Sequence, residues 1–367
     1  LKKVSGIKCK RCRNLSYTER ERNGRTMKQE KINENLRHAI HQLMCEDEAV
    51  VVIGEDVREP YGGAFKINKG LSDDFPDRVI GTPISEEGFV NMASGMAIMG
   101  HKPIVDMMFS DFTTLSFDPL LNFASKSVTM YGDKLDLSMI VRCANGGYRG
   151  YGPTHSQSMQ KYFMGIPNLS VYELSPFHDN YYVFNRMLSE KNPCIFFEEK
   201  IIYSQYRYEN GVIDELFNYS FKGDHENWAV ASIEENSVPD VLILCPGGLA
   251  SMCMKVAEKL IMADEIEVKV AVPSKLYPCG IEAIIEDAVA AGKILIVEEG
   301  TSGHTWGEGI AVKLYPYLNK QKDGAIELLS SSDSIIPASK YYESQVLVGE
   351  QDIYESVLKL MKIAKEG

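Results

Sequence analysis

Apolar residues recur at helical spacing at Ile32, Leu36, Ile40, Leu43 and Met44. A continuous apolar run, AVVVIG (49–54), follows and ends in Glu55-Asp56. Such a run closed by polar residues predicts a parallel strand buried on both faces. The alternation then continues. A helix is predicted over about 86–100, a strand at 103–109 (PIVDMMF), a helix over about 115–130 and a strand over 137–144 (LSMIVRCA). A Gly-rich loop at 145–155 leads to a short helix near 157–164, a strand at 169–174, a helix at 177–190 and a strand at 194–198. Residues 204–238 break the pattern with polar and aromatic positions and read as a linker or crossover. A second series follows, with strands at 241–245, 268–272, 294–299 and 326–330 and helices between and after them. Strands alternating with helices predict an α/β fold of two doubly wound domains, at 27–203 and 239–367.

Length agrees with this division, since 367 residues exceed one ordinary core. No apolar run is long enough to suggest a membrane span, and the net charge of −12 argues against nucleic-acid binding. The charge is uneven. Residues 1–26 carry nine Lys/Arg and two Glu, a net of +7, which leaves −19 for the rest. This segment lacks apolar periodicity and is expected to lie outside the fold as a basic extension. It has no secretory h-region; as a transit peptide it would place the chain in an organelle matrix. Eight scattered cysteines, most of them in apolar runs, suggest reduced buried thiols and a cytoplasmic compartment. Cys9 and Cys12 form one CxxC, with no second ligand pair nearby to complete a zinc site.

Ligands of open α/β sheets bind beyond the carboxyl ends of strands. Glu55 stands at one such end, Glu86 at a loop-to-helix junction in GTPISEEGF, and His155 in the loop GGYRGYGPTHSQS. Each has a plainer explanation. Glu86 follows Ser85, a candidate N-cap, and Glu suits a first helical turn. Glu55 reads equally as a solvated strand end, His155 as a structural loop residue and Phe112 of FSDF as a core aromatic.

The order of the motifs changes the picture. VVIGEDV, YGGAFKINKGL, RVIGTPISEEGF, MASGMAIMGHKPIVDMMFSDF, FDPLLNFASK, HSQS and NPCIFFEEKIIY run in sequence, with VLILCPGG, LYP and ILIVEEG after them. From Met27 to the C-terminus the chain resembles the beta subunits of thiamine-diphosphate-dependent 2-oxo acid dehydrogenases: the pyruvate, branched-chain and acetoin enzymes. The resemblance implies a pyrimidine-binding domain and a transketolase C-terminal-like domain. It implies oxidative decarboxylation of a 2-oxo acid, with the acyl group passed to a lipoyl domain. Glu86 matches the residue that hydrogen-bonds the aminopyrimidine, Phe112 the aromatic that stacks on that ring, and His155 the histidine at the substrate end. Glu55 matches a group that helps relay protons between paired sites. A potassium ion held by backbone carbonyls is implied at Met139, Met187, Glu190 and Asn192.

Relatives that hold the cofactor's pyrophosphate through magnesium carry a GDG motif. Here the Gly-Asp pairs stand in GDK (132–134) and GDH (223–225). The resemblance therefore implies a separate alpha subunit holding magnesium and pyrophosphate, in an assembly of two alpha and two beta chains with beta–beta self-association. It also implies a lipoyl acyltransferase as acceptor. The GPTH tetrad looks like transketolase, which keeps open a split transketolase or a decarboxylase without lipoyl transfer. A non-catalytic scaffold subunit is the third reading. Glu86, Phe112 and His155 together argue against it.

Overall fold

The computed structural model describes residues 29–132, 134–319, 321 and 323–366. The expected extension at 1–26, with its CxxC, lies outside them. Thirteen strands among the described residues form two sheets. They are β1 (Val50–Gly54), β2 (Val79–Gly81), β3 (Lys102–Met107), β4 (Met139–Asn145), β5 (Ser170–Glu173), β6 (Pro193–Glu199), β7 (Asn218–Lys222), β8 (Trp228–Ser232), β9 (Val241–Leu244), β10 (Val268–Pro273), β11 (Lys275–Tyr277), β12 (Lys293–Thr301) and β13 (Ala325–Ser331).

The first sheet has the order β11-β5-β6-β4-β3-β1-β2 and is parallel except for β11. Its strands β1, β4, β5 and β6 are buried throughout, as continuous apolar runs between two helical layers require. Helices Ile32–Glu46 and Asn180–Ser189 cover one face, and helix Glu86–Ile98 packs on the other. The second sheet has the order β13-β12-β9-β10-β8-β7, with antiparallel pairing only at β10-β8 and β8-β7. Helices Ala250–Asp264 and Glu350–Glu366 lie on its outer face.

Three features depart from the sequence pattern. The segment 204–238, expected as a linker, contributes β7 and β8 to the second sheet. Both strands are short and flanked by polar residues, although Tyr219 and Phe221 alternate toward the core in β7 and β8 is buried throughout. The expected helix at about 115–130 is broken into a 3₁₀ turn (Ser110–Ser116), a π-helical turn (Pro119–Ala124) and one short α turn (Ser125–Ser127). Thr113 and Thr114 bond the backbone at Ser110 and Asp111, at 2.5 and 2.8 Å, and Pro119 has no amide for a helix ladder. Finally, β11 crosses over to pair with β5 of the first sheet. One core runs continuously between the sheets, joining Met159, Phe163 and Phe197 to Trp228, Leu276 and Trp306.

Five cysteines, Cys143, Cys194, Cys245, Cys253 and Cys279, are free and buried, as their apolar settings predict. Cys45 is disulfide-bonded, which departs from the expectation of reduced thiols. No helix among the described residues is long and apolar enough to cross a membrane.

Candidate active site

The carboxyl end of β1 delivers Glu55, and the N-terminal residue of helix Glu86–Ile98 delivers Glu86. Both are buried, at 8% and 7% exposure. The side chain of Ser85 makes no capping bond, so the helix start is left without one of its usual partners. No hydrogen bond reaches either carboxyl from the described residues. Burial raises the pKa of Glu55, and the charges of Glu86, Asp56 and Asp106 raise it further. The fold thus brings these two acids into one electrostatic unit.

Phe112 and His155 meet on the same sheet. Phe112 sits in the 3₁₀ turn after β3, and His155 in the loop after β4. Their rings are 5.3 Å apart, edge to face. Phe109 joins both, at 6.0 Å from Phe112 and 4.8 Å from His155. Tyr151 and Phe65 extend the aromatic wall. Nδ1 of His155 lies 3.0 Å from Oγ1 of Thr154. The turn that carries Phe112 packs against helix Glu86–Ile98.

Beneath this rim Arg142 on β4 spans two acids. It donates to Asp106 on β3 at 2.7 Å and to both oxygens of Glu198 on β6, at 2.7 and 2.6 Å. Tyr203 donates to Glu198 at 2.7 Å, and Asn68 donates to Asp106. Burial opposes the Arg142 charge, but Asp106 and Glu198 more than offset that and hold the guanidinium protonated.

Comparison with known proteins places the chain in a family. Residues 29–205 match the transketolase pyrimidine-binding domain, and residues 231–353 match the transketolase C-terminal domain. The pyruvate dehydrogenase E1 component subunit beta of Rickettsia bellii is 30% identical over 335 residues, covering 90% of this chain and 98% of that one. This chain belongs to the family of 2-oxo acid dehydrogenase beta subunits. The mitochondrial pyruvate dehydrogenase E1 beta subunit of Saccharomyces cerevisiae is 27% identical over 339 residues, covering 90% of this chain and 89% of that one. A split-gene transketolase solved as an inactive beta4 tetramer shares the fold, with a TM-score of 0.67 at 16% identity over 91% of this chain and 99% of that one. The family is that of the thiamine-diphosphate-dependent dehydrogenase components.

This beta-type subunit also has a buried carboxyl cluster that sequence reasoning missed. Glu173, Glu199 and Glu299 lie where the carboxyl ends of β5, β6 and β12 converge around a cavity of about 20 Å³, room for one water. Glu173 accepts from the backbone of Gly248 at 2.9 Å and from Gln160 at 2.7 Å. Burial, then the charge of Glu199, pushes Glu173 up to about 8. Burial raises Glu199 and Glu299 as well, and lowers the pKa of the neighbouring Lys200. Gly146 and Gly248 are required here, because a side chain at either would collide with Glu199. The signal lay in the doubled acids of FFEEK and IVEEG at the ends of apolar runs.

The backbone around Met187, Glu190 and Asn192 gathers at the end of helix Asn180–Ser189, with Met139 on β4 paired to Pro193 beside it. The Cys194 thiol donates to the carbonyls of Met187 and Asn192, each at 3.6 Å. The Glu190 carboxylate is held by Lys275 at 2.6 Å, by Ser170 at 2.5 Å and by Tyr172.

Proposed function

We propose that this chain is the beta subunit of a 2-oxo acid dehydrogenase that acts on a pyruvate-like acid and passes the acyl group to a lipoyl domain. It works only with an alpha subunit. The observation that carries the reading is Glu86, a largely buried residue at a helix start without a hydrogen-bond partner among the described residues, in a domain whose strand ends also present the Phe112–His155 ring pair. A carboxyl without a protein partner and an aromatic wall together fit an aminopyrimidine ring, which offers a nitrogen to an acid and a face to an aromatic. Thiamine diphosphate, when bound, supplies the carbanion chemistry that removes the carboxylate of the 2-oxo acid.

The chain's own residues do the rest. Glu86 holds a proton at a ring nitrogen of the pyrimidine. Glu55, whose pKa is raised by burial and then by the charge of Glu86, would help relay protons between paired sites. Phe112 stacks on the ring, and His155 binds or protonates at the substrate end. Magnesium and pyrophosphate belong to the alpha subunit. Ile84, just before the start of helix Glu86–Ile98, and Met92 on it are exposed apolar residues that a second subunit could cover. Relatives in this family include mitochondrial subunits, which supports an organelle matrix as readily as cytoplasm.

Isothermal titration tests the two-chain assignment. Thiamine diphosphate with magnesium should bind weakly to the isolated chain and tightly to the reconstituted alpha-beta complex. Micromolar binding to the chain alone would overturn it. The same reading puts potassium on the carbonyls of Met139, Met187, Glu190 and Asn192. A higher Tm in potassium chloride than in sodium chloride at equal ionic strength checks that part.

A further inference from the structure

The loop that carries His155 is held largely from outside its own strand. Oε1 of Glu299, on β12 of the second sheet, accepts from the Gly147 amide at 2.6 Å and from the Ser158 hydroxyl at 3.0 Å. These contacts fall on either side of His155. We propose that Glu299 is a positioning residue for His155, closing the 147–158 loop from the second sheet through a proton held jointly with Glu199. The proposal rests on the role given to His155 above.

Other contacts share the task. Lys200 donates to the carbonyls of Gly146 and of His155, the latter at 3.1 Å. Arg149 donates to the carbonyl of Lys200 at 2.7 Å, and the Gly150 amide to Glu343 at 2.9 Å. Within the loop the Gly146 amide donates to the Gln157 carbonyl at 3.3 Å, and Glu299 adds, through one oxygen, a tie from the second sheet to Gly147 and Ser158, which flank His155.

The proton follows from the remaining oxygens. Oε2 of Glu299 and Oε2 of Glu199 are both buried without a hydrogen-bond partner. The two residues are 7% and 2% exposed, and their carboxyls face each other at the cavity. Two ionised carboxylates in contact in such a place repel strongly, whereas one proton between them gives both a partner. Burial, then the charge of Glu199, holds Glu299 well above the usual carboxylate range. The charged and titratable groups around the pair are Lys200 from the end of β6, Glu173 from β5, Glu298 from β12, Glu343 from helix Lys340–Glu343, Tyr148 and Arg149 from the loop, and Asp111. Lys200 is the buried cation among them, and it is already bound to two loop carbonyls. Raising the pH removes the shared proton, drives the two carboxylates apart and frees the loop ends.

Hydrogen–deuterium exchange on the assembled alpha-beta complex tests this, corrected for the intrinsic pH dependence of exchange. In the wild type, protection of the 146–158 segment should fall as the pH moves from mildly acidic to mildly alkaline. Glu299→Gln keeps the accepting oxygen, donates to Glu199 and cannot titrate, so its protection should stay high across that range. Glu299→Ala should speed exchange at Gly147 by about tenfold or more, the scale of one hydrogen bond lost to a buried carboxyl. Its kcat should fall with KM little changed, as expected for a misplaced catalytic side chain. Wild-type exchange in Glu299→Ala, or an unchanged pH dependence in Glu299→Gln, overturns the proposal. If Glu299→Ala does not fold, the Gln variant alone decides. Should His155→Ala leave turnover intact, the role of His155 fails instead. The exchange result still reports whether Glu299 holds the loop.

Discussion

Asp106 and Glu198 on one hand, and Glu55 and Glu86 on the other, are pairs of buried acids in the same domain, yet the chain treats them in opposite ways. The first pair is locked to Arg142 through three hydrogen bonds, with Tyr203 and Asn68 completing the shell. The second pair has no cation and no hydrogen-bond partner among the described residues. It stands at the rim, where β1 and helix Glu86–Ile98 end and begin. A buried acid costs free energy unless it is paired or protonated. The Arg142 network meets that cost internally and serves structure. The Glu55–Glu86 pair has no such internal partner among the described residues, and in the proposed function the cofactor would supply one.

The sharpest way to break this contrast is to remove the cation. Arg142→Met leaves Asp106 and Glu198 buried and unpaired, and should destabilise the fold by about 3–5 kcal/mol, read from urea unfolding. A loss under about 1 kcal/mol would mean that the network is not structural. Glu86→Gln should act on the other side of the comparison. Turnover of the reconstituted complex should fall by roughly 100-fold, while stability changes by under about 1 kcal/mol. Full activity in that variant reduces Glu86 to a helix-start residue.

The interdomain acids sharpen the contrast through pH. The Glu173 carboxyl rises from its ordinary 4.5 to about 8 in the fold, so the native state favours its protonated form. That contribution to stability is complete below about 4.5 and is lost as the pH rises through about 8. Between these limits stability should fall by about 1.4 kcal/mol per pH unit for each such proton. Glu173→Gln should flatten the slope of the urea midpoint against pH, and an unchanged slope would assign the dependence elsewhere. The smallest effect belongs to Glu55→Gln. Relief of repulsion at the solvent-screened rim should stabilise the isolated chain by less than about 1 kcal/mol, while turnover of the complex drops.

Much of the candidate site was legible because its residues sit in ordered, local motifs. Glu86 follows Ser85 in TPISEE, Phe112 closes FSDF and His155 opens HSQS. Those strings specify a helix start, a 3₁₀ turn and a loop, and each lies at a strand's carboxyl end. The Glu299 clamp was not legible. Gly147 and Glu299 are 152 positions apart, and their contact depends on how two sheets dock. The edge strand β7 escaped although it alternates, with Tyr219 in the core and Phe221 packed against it, because it is short and lies among polar residues.

The sequence by itself determined the buried strands, the helices between them and the positions of Glu55, Glu86, Phe112 and His155, because apolar periodicity and local motifs act over a few residues. Tertiary structure decided which acids are neutralised, which are left open and which share protons. Those outcomes depend on burial and on partners from distant strands: Arg142 beside Asp106 and Glu198, Glu299 against Glu199, and β11 crossing to pair with β5. A carboxyl's charge state is set by the dielectric and the charges around it, and these exist only once the sheets have come together.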